Sequence, residues 1–180
     1  VANEININQI NLAEIEQVEI VEGPMAVSYG ADALAGVINL ISRKPAGKKL
    51  SLDAQMHTES VGNEYSFFDE GIHSPSLTVG YGIDEHWSLR GSYRLNRMGG
   101  WQGTGIGRDK SWYPRTQHLS SAQVQHQRDK WQVYYRLDLL DETLANLGLP
   151  NDQNPLRDPF AIDEEYLSQR AMHQVQAELS

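Results

Sequence analysis

The sequence predicts a mostly β protein in two unequal parts: a short α+β segment, then about six strands of the kind that cross a membrane as an antiparallel barrel. Three observations predict it. Six stretches after residue 45 alternate apolar and polar side chains with a period of two, as strands with two different faces do. The links between them run long, short, long, short, long, like the loops and turns of membrane-spanning barrels. No run of about eighteen apolar residues occurs, and mean hydropathy is -0.53. A transmembrane helix is therefore excluded, whereas a barrel is not.

Composition narrows the function classes. The 180 residues hold 24 Asp+Glu against 15 Lys+Arg, a formal charge of -9, which argues against nucleic acid as a partner because phosphate neutralisation needs a basic excess. Cysteine is absent, which removes disulfides, Cys-based zinc sites and thiol nucleophiles together. The chain opens at Val1 without a basic stretch and apolar core, so any signal peptide is expected upstream or already removed. Length alone would suggest one domain, but charge is stepped. Residues 1–42 carry Glu4, Glu14, Glu16, Glu19, Glu22 and Asp32 with no Lys or Arg, and then Arg43, Lys44, Lys48 and Lys49 arrive together around Pro45 and Gly47. The boundary this marks divides the chain into residues 1–44 and 45–180.

Within the first part, residues 18–21 predict a short strand that Gly23 and Pro24 end. Pro24 suits the first position of a short helix and Gly30 the position just past its end, with Met25, Ala26, Val27 and Tyr29 between them. Asp32 is placed to cap or turn the chain, Gly36 permits close backbone approach, and residues 37–41 form a buried type of strand interrupted by Asn39.

The exact string carries more than its composition. I-E-Q-V-E-I-V from Ile15, Gly23-Pro24, Tyr29-Gly30 followed by Asp32, Ala33 and Gly36, and V-I-N-L-I from Val37 stand in order without a gap. This run of about thirty residues resembles the C-terminal part of the plug domain of TonB-dependent outer-membrane receptors. The resemblance implies a plugged barrel in the outer membrane of a Gram-negative bacterium, with Glu22, Gly23, Pro24, Tyr29, Gly30, Asp32, Gly36 and Asn39 as plug-motif and gating residues. One position departs from the family: Glu22 stands where an arginine is usual.

In the second part the strands follow in order. Leu50, Leu52, Ala54 and Met56 share a face, as do Leu77, Val79, Tyr81 and Ile83. Trp87, Leu89, Gly91, Tyr93 and Leu95 oppose Ser88, Arg90, Ser92, Arg94 and Asn96, the clearest case. Residues 118–126 alternate poorly. Trp131, Val133, Tyr135, Leu137 and Leu139 oppose Gln132, Tyr134, Arg136 and Asp138, and Leu167, Ala171, Val175, Ala177 and Leu179 stay in phase. Trp87 and Trp131 each follow a tight link, 84–86 and 128–130, which suits an interfacial aromatic girdle. A water-soluble meander with two core tryptophans is the competing reading. Six strands are about a quarter of the roughly twenty-two that family members close, so the expectation is a fragment of a barrel with open edges.

No enzymatic constellation emerges. Gly103, Gly105 and Gly107 do not join a strand to a helix, so an external loop is expected there instead of a phosphate cradle. The histidines at 57, 73, 86, 118, 126 and 173 lack ligand spacing, and 151–154 lacks the glycine and terminal glutamate of a calcium loop. Asp163, Glu164 and Glu165 read as a solvated run, with an acidic hydrolase as the rival they would have to serve. No catalysis, metal or cofactor is expected.

The resemblance implies active import of a scarce, bulky solute, energised by an inner-membrane TonB-type complex: an iron siderophore first, with haem, cobalamin or oligosaccharide as alternatives. Outer-membrane lipid and the rest of the same barrel would be its other partners. A soluble or surface β-rich module that binds carbohydrate or protein is the alternative. Trp101, Gln102, Trp112 and Tyr113 form a candidate ligand loop, aromatic faces beside an amide and basic rim. Alternation puts Arg90, Arg94 and Arg136 on the polar face, where they are expected to meet the acidic first segment through Glu22, Glu19 or Glu16 in a lock of inverted polarity.

Overall fold

The computed structural model describes residues 10, 15–22, 36–42, 50–103, 108–151 and 160–179. Two antiparallel sheets are built from them. β1 (Ile15–Glu22) pairs with β2 (Gly36–Ser42), and β3 (Leu50–Glu59), β4 (Ile72–Gly82), β5 (Trp87–Met98), β6 (Arg115–Arg128), β7 (Trp131–Leu147) and β8 (Asp163–Leu179) form one meander in sequence order. No described residue is helical; the short helix expected over residues 24–30 and the boundary near residues 44–48 lie outside the described residues.

The six-strand sheet is inside out by the standard of a water-soluble protein. Its register puts Leu52, Val79, Gly91, Ala122, Leu137 and His173 in one row and Tyr81, Leu89, Val124, Tyr135 and Val175 in the next, all on one face. That apolar face is the exposed one, with Leu52 at 71% and Val175 at 72%. The opposite face carries Ser74, Thr78, Ser92, Gln117, Gln123, Gln125, Arg136 and Glu142, and all of these are buried. Leu119 and Leu140, paired across β6 and β7, are buried apolar residues on the same sheltered side. In water this arrangement would be costly, since buried polar groups need partners and large apolar patches seek cover. It matches a barrel wall, whose outside is apolar and whose interior is polar.

The turn end is tight and ordered. Ile83 N–H donates to Trp87 O at 2.9 Å, and Asp84 Oδ1 accepts from the backbone N–H of both His86 and Trp87 at 2.7 Å. Asp129, with φ 49°, takes the left-handed conformation that an aspartate tolerates in a two-residue hairpin. The two turns are joined, because Gln127 N–H donates to His86 O at 2.8 Å. Trp87 and Trp131 sit at this end on the apolar face, and Trp87 packs on His126 with ring centroids 4.4 Å apart.

The strands are longer than alternation indicated. β4 begins at Ile72 and runs through Pro75, which pairs with Met56 of β3, while the ladder to β5 skips Ser74 and Pro75. Proline has no N–H to give there. β7 and β8 have 17 residues each, about 55 Å of extended chain, so they rise beyond a hydrocarbon layer of about 30 Å on the loop side.

Candidate functional site

The sheltered polar face is the site. Its charged groups are held by neighbours on the same wall. Arg136 reaches Asp138, two residues along on the same face, with Nε to Oδ2 at 2.8 Å and Nη2 to Oδ1 at 2.7 Å. This bidentate pair is largely buried. Arg136 therefore has a carboxylate partner on its own strand. Arg90 stands between Gly80 and Gln123 on the same face.

Higher on the wall, four side chains on three strands are linked in one direction. Arg94 Nε donates to Asn96 Oδ1 at 2.9 Å, Asn96 Nδ2 donates to Gln117 Oε1 at 3.3 Å, and Gln117 Nε2 donates to Glu142 Oε2. Register explains the links, since Asn96 lies opposite Gln117 and Gln117 opposite Glu142. Gln117, 1% exposed, is the most buried large side chain among the described residues. Arg94 and Asn96 border a cavity of about 380 Å³ at the loop end, together with Arg115, Glu59, Met98 and Ile10. Ile10, from the first segment, lies against this wall.

Of the expected plug-motif residues, Glu22 ends β1 opposite Gly36 at the start of β2. Asn39 Nδ2 donates to Glu19 Oε2 at 3.0 Å across the same hairpin. Gly23, Pro24, Tyr29, Gly30 and Asp32 lie outside the described residues.

The expected ligand loop is built around a tryptophan pair. Trp101 and Trp112 form an isolated antiparallel bridge with both N–H to O distances at 3.0 Å, and their rings tilt against each other at 5.2 Å. Glu64, from the preceding loop, accepts from the backbone N–H of Gln102 at 3.0 Å and Gly103 at 3.1 Å. Arg108 reaches Asp163 at the start of β8. Trp101 is half-buried, whereas Trp112 and Tyr113 are exposed. The structure thus brings Trp101, Gln102 and Trp112 together but gives Trp101 a packing role that stacking on a ligand would have to share. No group of three or more metal-ligating side chains occurs among the described residues.

Comparison with known proteins identifies the first segment. Residues 1–37 match the model of the TonB-dependent Receptor Plug Domain. The first segment is part of a plug domain of the TonB-dependent receptors. It is 39% identical over 75 residues to the iron-regulated outer membrane virulence protein of Vibrio cholerae, a stretch of 38% of this chain and 11% of that one. It is 40% identical over 65 residues to the vitamin B12 transporter BtuB of Vibrio vulnificus, covering 34% of this chain and 11% of the transporter. The aligned stretch is thus about a tenth of these curated relatives. No solved structure matches. The localisation these relatives support is the outer membrane.

Sequence reasoning found the arginines of the wall, and Arg115 as part of the basic rim of the ligand loop, but missed Gln117, Glu142 and Glu64. Residues 117–125 are polar on both parities, so alternation gave no face to β6. Only pairing with β5 and β7 assigns Gln117 to the inside.

Proposed function

We propose that the receptor imports a scarce, bulky solute across the outer membrane, energised by a TonB-type complex of the inner membrane. The observation that carries this reading is the inside-out sheet, apolar outside and polar inside, continuous in sequence with a plug-domain segment. In this reading residues 1–44 belong to the plug and 45–180 to the wall, with the motif from Glu22 to Asn39 shaping the plug. The cargo is an iron chelate of the siderophore class; the name of the Vibrio cholerae relative supports iron, and that of the Vibrio vulnificus relative makes cobalamin the comparison to run. Trp101, Gln102, Trp112 and Tyr113 lie on the entry route, and Arg90 and Arg94 face the plug.

The test is accumulation of a ferric siderophore, haem, cobalamin or an oligosaccharide by cells carrying the full-length receptor, with and without the energising complex. Energy-dependent uptake of one of them is expected. Uptake indifferent to the complex, or a full-length receptor that stays in water without detergent, would overturn the proposal.

A further inference from the structure

We infer that the cavity at the loop end of the wall is an anion-binding site for a carboxylate-class group, with Arg94 and Arg115 as its receptors and Gln117 as the residue that positions Arg94. The inference deepens the import reading and rests on it for the site's place on the entry route.

Charge balance is the first argument. The chain as a whole is acidic, at -9, yet this cavity gathers Arg94, Arg97 and Arg115 against the single carboxylate of Glu59. Glu59 faces His57 at 3.3 Å, and Arg97 faces Asp69 at 3.5 Å. Arg94 and Arg115 meet no carboxylate among the described residues, in contrast to Arg136 lower on the same wall. Two cations left without a counter-charge beside a cavity lower the cost of bringing an anion into it.

Orientation is the second argument. A guanidinium has five N–H donors in a planar fork. Arg94 spends Nε–H on Asn96, which leaves the four N–H groups of its two terminal nitrogens for the cavity. Asn96 is fixed by Gln117, and Gln117 by Glu142, so every amide in the relay has its oxygen toward Arg94 and its nitrogen toward Glu142. The buried carboxylate of Glu142 thereby sets the direction of Arg94 across three strands without neutralising it. A planar fork held in one orientation suits bidentate capture of a carboxylate. Met98, Ile72 and Ile10 add apolar lining, which suits an anionic group carried on an apolar body.

The carboxylate can belong to a soluble ligand or to the acidic first segment, whose Ile10 lines the same cavity. One experiment separates the sources. Citrate and inorganic phosphate are titrated calorimetrically into the full-length receptor in detergent, without any energising complex. Citrate is expected to bind more tightly than phosphate, and about tenfold more weakly to Arg94→Gln or Arg115→Gln. Arg94→Lys is expected to stay weakened, because an ammonium cannot reproduce the fork. Gln117→Met keeps volume but breaks the relay, and is expected to cost about three- to tenfold in affinity, together with a lowered thermal stability because Glu142 loses a donor. Should it fail to fold, Asn96→Asp puts a carboxylate on Arg94 and is expected to cause the same loss by occupying the fork. If the parent binds neither probe but a Glu14→Gln, Glu16→Gln variant binds citrate, the anion is the chain's own. Equal citrate binding by parent and arginine variants, or no binding by any of them, overturns the inference. Import that continues in a receptor failing this test would leave the transport reading intact, and binding without import would do the reverse.

Discussion

Trp101 packs so closely on Gly62 that a Cβ at that glycine would fall 2.8 Å from the indole Nε1. Gly62 also has φ +62°, so two constraints coincide. Gly62→Ala is expected to cost about 1–2 kcal/mol locally from the left-handed backbone, with the indole displaced in addition. Hydrogen exchange at Val61 and Glu64, which pair across this turn, should accelerate. Unchanged exchange would mean that the contact does not order the loop.

Glu64 ties the first long loop to the second through two backbone N–H groups. Glu64→Ala is expected to release Gln102 and Gly103 from exchange protection and to loosen the Trp101–Trp112 pair, seen as a change in tryptophan fluorescence. Glu64→Gln should keep part of the protection, because an amide oxygen still accepts, though more weakly than a carboxylate.

Asp84 predicts an acid-side effect at the turn end. The backbone N–H groups of His86 and Trp87 stabilise its ionised form and hold its carboxyl below the usual aspartate range. A folded-state pKa that is depressed adds stability above the unfolded value and loses it as pH falls through the folded one. Thermal stability measured between about pH 2 and 6 should fall less steeply for Asp84→Asn than for the parent, since the amide keeps an acceptor but cannot titrate.

The Arg136–Asp138 pair is largely buried, so breaking it from one side leaves a charge without its partner. Asp138→Asn or Arg136→Met is expected to cost about 3–5 kcal/mol in the full receptor, while replacing both with apolar residues costs much less. A double-mutant cycle by denaturant unfolding from vesicles measures the difference. Additive losses would show that the two side chains do not act as a pair.

Two tyrosines on the apolar face share a hydrogen bond with histidines one step up the neighbouring strand: Tyr93 Oη and His118 Nδ1 at 2.7 Å, and Tyr135 Oη and His173 Nδ1 at 2.8 Å. With the phenol as donor, the neutral imidazole carries its proton on Nε2. Tyr135→Phe is expected to cost about 1 kcal/mol or somewhat more, because it strands an imidazole nitrogen on an apolar face. Nitrogen chemical shifts of His173 should report the Nε2–H tautomer in the parent and a mixture in the variant.

The sequence by itself determined the strand count, the two tight turns and the outward direction of Leu52, Tyr93, Trp131 and Val175, because alternation with period two is a local property that each strand displays alone. It also determined the plug-like segment, whose order of residues is specific before any folding. Tertiary structure decided what happens between strands. β6 is polar on both parities, so Gln117 acquired a face only when register set it opposite Asn96 and Glu142. Alternation put Arg94 and Arg136 on the same polar side. Only the pairing of strands, together with the residue two places along each strand, made one the end of an amide relay beside a cavity and the other half of a largely buried ion pair. Register is fixed by cross-strand hydrogen bonding over the whole sheet, and a shift of one residue would exchange the two faces of a strand, so these partnerships have no signature within any single segment.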